Sequence, residues 1–344
     1  MIHFECDYTE GCCPEILEAL TATNMEQTSG YGEDFYSNRA RQKIKQACGC
    51  PNADVHFLVG GTQTNLTVID AALRPYQGVI APESGHISVH EAGAIEATGH
   101  KVLSLPSSNG KLTAQQIDNY CCEHWSDANR IHLVQPAMVY ISFPTEGGML
   151  YSRSELKSIH DICRKHNIVL FVDGARMGYG LASPQNDCTL QDFAQLCDVF
   201  YIGGTKVGAL FGEAIVITND NLKKDFLYMA KQKGGLLAKG RLLGIQFDTL
   251  FTDDLYFRVA KKAVDYALQI KEAFQKKGFT FLFESYTNQQ FPVLPTTVQE
   301  ILNKKYATSF WQQLDKDNAA IRFCTSWATT QENMDSLLND IDSL

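Results

Sequence analysis

Short β-branched and aromatic runs alternate with helical stripes through much of this chain. VHFLV at 55–59, GVIAP at 78–82, IVLFVDGAR (Ile168–Arg176), VFYIGGTK (Val199–Lys206) and AIVIT (Ala214–Thr218) are each too short for a helix. They are bounded by glycine or charged residues and read as buried strands. Between them lie helical patterns. VHFLVGGTQTNLTVIDAAL (Val55–Leu73) predicts a strand, a Gly-Gly-Thr turn and a helix. Gly78–Gly99 predicts a strand, a turn at Ser84-Gly85 and a helix with His86 at its start and His90 one turn on. Ile131–Tyr151 reads as strands around Pro136 followed by a loop at Thr145–Gly148. SRSELKSIHDICRKHN (Ser152–Asn167) predicts a helix with Ser152 and Glu155 as a capping box. Leu156, Ile159, Ile162 and Cys163 form its buried stripe. A weaker helix is expected near Leu190–Leu196. Alternation of strand and helix from about Val55 to Thr218 is the signature of an α/β fold with a mostly parallel, doubly wound sheet.

The two ends depart from this rhythm. A helix pattern starts at Pro14, which suits a first helical turn. Thr28–Ala40 is rich in Gly, Ser and Asp and reads as a loop, and Arg39–Ala47 as a helix. Towards the other end a long helix, Asp254–Lys277, is closed by Gly278. FTFLFES, VQEILNKKYA, IRFCTSW and ENMDSLLNDI then mix strand and helix patterns. These segments predict an arm and helix over 1–24, a large domain over 25–249, and a small α+β domain over 250–344 joined by the arm.

In open α/β sheets ligands sit beyond the carboxyl ends of strands. Asp173, Arg176 and Lys206 close two of the runs and should therefore face one crevice. An Asp at one strand end and a Lys amid glycines after another suggest pyridoxal phosphate. The lysine amine would form a Schiff base with the cofactor, and the carboxylate would keep the pyridine nitrogen protonated. A plainer reading makes Asp173 a helix cap and Gly-Gly-Thr-Lys a turn. The turn at Gly60–Thr62 opens a helix, whose free N–H groups suit a phosphate. It is neither a P-loop nor a dinucleotide fingerprint. His86 stands at the mouth of a strand–turn–helix unit and is better placed for a cofactor than His90, which reads as a helix-surface residue. Zinc held by His86, His90 and Glu91 is the competing use of this segment.

Composition narrows the classes. The 344 residues are 44% hydrophobic and 20% charged, with a net charge of −9. No basic run suits a nucleic acid or an anionic membrane, and no apolar run of about 18 residues suits a membrane span. The start, MIHFECDYTEG, shows no signal-peptide pattern. The 11 cysteines are odd in number and lack zinc-ribbon spacing, so reduced thiols and a cytoplasmic setting are expected.

Taken together, YGED (Tyr31–Asp34), GGTQTN (Gly60–Asn65), HISVHEAGAIE (His86–Glu96), DGAR (Asp173–Arg176), GGTK (Gly203–Lys206), KGRLLGIQF (Lys239–Phe247) and RFCTSW (Arg322–Trp327) resemble the low-specificity L-threonine aldolases. That family is pyridoxal phosphate-dependent and has the aspartate-aminotransferase-like fold (fold type I). The resemblance spans nearly the whole chain. It implies a large domain with a seven-stranded sheet. It implies that Lys206 carries pyridoxal 5'-phosphate, that Asp173 pairs with the pyridine nitrogen, and that His86 stacks on the ring. Gly61 and Thr62 would bind the phosphate, with Arg241 from a neighbouring subunit. Arg176 and Arg322 would hold the carboxylate of an amino-acid substrate, and Tyr31 would reach the site across a homodimer or homotetramer interface. Residue by residue, Arg176 as a helix-start salt bridge, Arg322 as a surface residue, Arg241 as a helix cap and Tyr31 as a loop anchor stay open. The chain also departs from the family. Phe143 aligns with a histidine that contacts the β-hydroxyl in many members, and Cys6 replaces a serine near the carboxylate. His86, or a water it activates, is then the expected proton acceptor.

Three functions follow. The first is aldol cleavage of L-threonine or L-allo-threonine to glycine and acetaldehyde. The second is β-elimination, racemisation or transamination of another amino acid on the same cofactor. The third is a non-catalytic module binding a phosphorylated ligand through Gly60–Thr62.

Overall fold

The computed structural model describes residues 1–344. Seven strands form the main sheet: β1 (Asp54–Leu58), β2 (Gln77–Pro82), β3 (Lys101–Leu105), β4 (Gln135–Ser142), β5 (Val169–Asp173), β6 (Val199–Gly203) and β7 (Glu213–Ile217). Their order is β1-β7-β6-β5-β4-β2-β3. Only β7 runs against its neighbours. Side chains alternate across the central strands. Leu170 and Val172 enter the core beneath the helices Phe35–Ala47, Arg153–His166 and Leu255–Lys276. Phe171 enters the opposite core, beneath the helix Gly61–Ala72. Both faces are thus covered, which is why these strands read as continuous apolar runs.

A second sheet of β8 (Val293–Pro295), β9 (Ser309–Gln313) and β10 (Asn318–Cys324) runs in the order β8-β10-β9. Its apolar face packs with Ile270, Phe274, Met334 and Leu337. The first residues of the chain join this region. Ile2 and His3 pair with Tyr306 and Ala307, and Phe4 is buried in the same cluster.

The helix expected over Ser152–Asn167 forms as Arg153–His166, with the Ser152–Glu155 capping box closed and Asn167 left-handed at its end. The long helix ends at Lys276, with Gly278 at φ +82°. Four local expectations need correction. The helix expected from Arg39 begins at Phe35, because Asp34 accepts the Ser37 N–H at 2.8 Å and caps it. The helix carrying His86 lasts one turn, His86–Val89, and cannot continue through Ala92 and Gly93, both at positive φ. FTFLFES forms only an isolated bridge, Phe281 to Pro292, and Arg130–His132 is a 3₁₀ turn rather than a strand.

The closed capping box gives a direct check of the local reading. Ser152→Ala should lower the unfolding free energy by about 1 kcal/mol. Thermal denaturation should register this, with the cofactor site unaffected.

Candidate active site

The parallel strands place their carboxyl ends along one edge of the sheet. In register, Ser142 of β4 lies beside Asp173 of β5. Glu213, at the start of the reversed β7, lies beside both Gly203 of β6 and Leu58 of β1. Close packing makes this edge narrow. A Cβ on Gly174 would sit 1.9 Å from the Tyr201 carbonyl oxygen, and one on Gly203 would sit 2.3 Å from that of Ala175. Above the edge opens a cleft of about 780 Å³.

Asp173 lines this cleft, buried and held by four donors. It accepts from the Tyr140 and Tyr201 hydroxyls at 2.5 Å each, from Asn65 Nδ2 at 3.1 Å and from the Ala175 N–H at 3.0 Å. Burial pushes its pKa up, but nearby His86 and these donors more than offset that and hold it below the ordinary carboxylate value.

Lys206 follows β6 in a tight loop and lines the same cleft. Burial and the Arg176 charge push its ammonium pKa down, against the pull of Asp7, Asp173 and Glu213. A lysine so placed can present a neutral, nucleophilic amine. Glu213 braces the loop, accepting from the Thr205 hydroxyl at 2.8 Å and the Gly204 N–H at 3.2 Å. Burial raises its carboxyl pKa.

His86 stands on the wall. Its Nδ1 is 2.7 Å from Glu91 Oε1, and its backbone N–H donates to Glu146 Oε1 at 2.9 Å. His90 also lines the cleft, its ring 5.6 Å from that of His86, so it is not simply a helix-surface residue. The zinc arrangement of His86, His90 and Glu91 does not form. The one potential metal cluster lies elsewhere, at Asp118, Cys122 and His166, where Asp118 is already paired with Lys165 and His166.

Gly60, Gly61 and Thr62 line the cleft at the start of the helix Gly61–Ala72. The first N–H groups of a helix have no partner within it. A Cβ on Gly60 would meet nothing within 4 Å, so this helix start is open to a ligand.

Two arginines also line the cleft. Arg176 is held by Asp7 through Nε at 2.7 Å and Nη2 at 2.9 Å. The salt-bridge reading of Arg176 is therefore realised, although the residue also lines the cleft. Arg322 donates to the Glu5 carbonyl at 2.7 Å and packs over Trp311, while its buried Nε has no partner. Cys6 does not line the cleft. Its neighbours fill that place, Asp7 on Arg176 and Tyr8 at the mouth. Arg241 and Tyr31 also lie outside the cleft of their own chain. Arg241 donates to the carbonyls of Thr23, Asn24 and Glu26, and the Tyr31 ring lies 4.5 Å from the Lys231 ammonium.

Phe143 does not line the cleft. It is 1% exposed and packs against Phe193 at 4.7 Å. The polar residue that this loop sends to the cleft is Glu146, which also accepts from the Ser142 hydroxyl at 2.8 Å.

The family model for beta-eliminating lyases matches residues 4–297. The chain belongs to the beta-eliminating lyase family. It is a pyridoxal phosphate-dependent lyase of fold type I. The lyase is 30% identical to a low-specificity L-threonine aldolase of Pseudomonas aeruginosa over 98% of this chain and 96% of that protein. A solved threonine aldolase structure from Leishmania major is 42% identical, with a TM-score of 0.97, covering 100% of this chain and 99% of that one. An aspartate aminotransferase of Thermus thermophilus, 14% identical, shares the fold with a TM-score of 0.69 over 100% and 91% of the two chains.

The Asp7–Arg176 pair yields a test with a defined sign. Burial pushes the Asp7 carboxyl up, but Arg176, Lys206 and Asn288 outweigh it and hold the pKa at about 2. A depressed carboxyl pKa stabilises the fold above the ordinary value, and that stability drains as pH falls towards the folded value. Asp7→Asn should cost about 3 kcal/mol at neutral pH by leaving Arg176 buried and unpaired. It should also flatten the loss of stability between about pH 4 and pH 2. Thermal unfolding of both proteins across that range checks it.

Proposed function

We propose that the lyase cleaves the Cα–Cβ bond of a β-hydroxy-α-amino acid, L-threonine or L-allo-threonine, to give glycine and acetaldehyde. The observation that carries this reading is one cleft that unites Asp173, Lys206 and His86 with an open helix start and two arginines. Its chemistry suits pyridoxal phosphate: a buried carboxylate, an amine and an anion cradle. Pyridoxal phosphate, when bound, supplies a sink for the electron pair left at Cα.

The chain's own residues do the rest. Lys206 would hold the cofactor covalently through its ε-amine. Asp173 would face the pyridine nitrogen, its negative charge keeping that nitrogen protonated. Gly61 and Thr62 offer N–H and hydroxyl donors to the phosphate. Arg322, with its free Nε, and Arg176, through the donor that Asp7 leaves unused, orient the substrate carboxylate. Holding that carboxylate would fix the orientation of the substrate and so which Cα bond breaks. His86 covers the ring face, and its Nε2 takes the β-hydroxyl proton. Tyr31 and Arg241, turned away from this cleft, would serve the cleft of a second copy in a homodimer or homotetramer. The eleven cysteines are all unpaired, which supports a reducing, cytoplasmic setting.

Lys206→Ala should abolish both the visible absorbance of the loaded protein and aldehyde release from L-threonine. Retention of both contradicts the assignment. Arg322→Leu should raise KM for L-threonine on the order of tenfold, the worth of a charged hydrogen bond. Steady-state kinetics with both variants checks the division of roles.

A further inference from the structure

Four buried or half-buried side chains form an unbroken hydrogen-bonded chain beneath the cleft wall. Asp173 Oδ2 accepts from Asn65 Nδ2 at 3.1 Å. The same Nδ2 donates to Glu91 Oε1 at 2.7 Å. Glu91 Oε1 then lies 2.7 Å from His86 Nδ1. The orientation of Asn65 is forced, since two carboxylate oxygens face the same amide atom and can only accept.

Glu91 is the unusual member. Its side chain is 0% exposed, and His86 is the only basic side chain it bonds. Oε1 receives two donors, while Oε2 is buried with no partner. A protonated acid would need an acceptor at Oε2, so this arrangement suits the carboxylate. A carboxylate can only accept, so His86 Nδ1 carries the hydrogen and Nε2 keeps its lone pair. When Nε2 takes a proton, the resulting imidazolium lies against a buried anion, the same logic by which an aspartate serves a catalytic histidine.

We propose that Glu91, braced by Asn65, is the positioning residue that fixes His86 as the base for the substrate's β-hydroxyl. This rests on the aldol reading above. In the step, the β-O–H bond breaks and its proton bonds to His86 Nε2. The O–H pair becomes the second bond of the aldehyde carbonyl, and the Cα–Cβ pair stays with Cα. A proton returned to Cα completes glycine, so nothing is consumed besides the substrate. Asn65 spends its two N–H bonds on two carboxylates. It thereby fixes the base relative to Asp173, the residue that would hold the pyridine nitrogen.

The test has two arms. In the first, ¹⁵N-histidine NMR of the wild-type protein, with and without pyridoxal phosphate, reads the His86 tautomer, assigned by its loss in His86→Ala. The expected result is a downfield, exchange-protected proton on Nδ1; a proton on Nε2 alone overturns the proposal. In the second, Glu91→Gln should lower kcat for L-threonine by about 100-fold, the usual worth of a general base. KM and cofactor affinity, the latter measured by titrating cofactor-free protein, should stay within about threefold, as for a loss confined to the transition state. Glu91→Asp should recover part of the loss. In the His86→Ala background, Glu91→Gln should add little further loss, because the two act as a unit. An unchanged kcat, or an equal cost in both backgrounds, overturns the proposal. Wild-type enzyme that makes no aldehyde overturns the aldol reading instead, and the NMR arm still decides the His86–Glu91 pairing.

Discussion

A buried carboxylate governs this structure. Asp173 sits at the end of a central strand, where an unpaired negative charge would be prohibitively unfavourable. Four donors from four places in the chain remove that penalty: a hydroxyl from β4, another from β6, an amide from the helix Gly61–Ala72 and the backbone N–H of Ala175. Each donor is delivered by sheet register or by the helix that follows β1. The site is therefore a consequence of how the strands align. A slip of one residue in β4 or β6 would turn Tyr140 or Tyr201 to the other face.

The cleft also balances its charges in pairs. Arg176 faces Asp7, Lys206 shares its surroundings with Glu213 and Asp173, and His86 faces Glu91. Arg322 alone keeps a buried donor free, which marks it as the residue with most to gain from an incoming anion. Arg176 is held rigid by Asp7 through Nε and Nη2, which leaves its Nη1 uncommitted to Asp7. The arm that supplies Asp7 is tied to the second sheet through Ile2 and Phe4, so Asp7 links that region to the cleft.

The architecture was legible because strand and helix periods were clean, and because both faces of the sheet are covered. Asp173, Lys206, His86, Gly61, Thr62, Arg176 and Arg322 all reach the cleft, since motifs at strand ends and helix starts are carried there by topology. Residues whose roles depend on register were not legible. Tyr140 and Tyr201 looked like ordinary strand aromatics. Glu213 was hidden at the head of a strand whose reversal the sequence does not reveal. Glu91 was weighed only as a metal ligand. Cys6 was misplaced by counting along an arm, where one residue changes what faces the cleft. Tyr31 and Arg241 lie outside the cleft of their own chain, Arg241 on the carbonyls of Thr23, Asn24 and Glu26 and Tyr31 beside Lys231.

The most direct measurement follows the visible absorbance of the loaded protein on adding L-threonine while products are quantified in the same sample. The account predicts a change in the cofactor band, with glycine and acetaldehyde formed in equal amounts. Ammonia with a keto acid, or a spectral change without aldehyde, would keep the cofactor but contradict cleavage of the Cα–Cβ bond. A protein that stays colourless after addition of pyridoxal phosphate would contradict the cleft assignment itself.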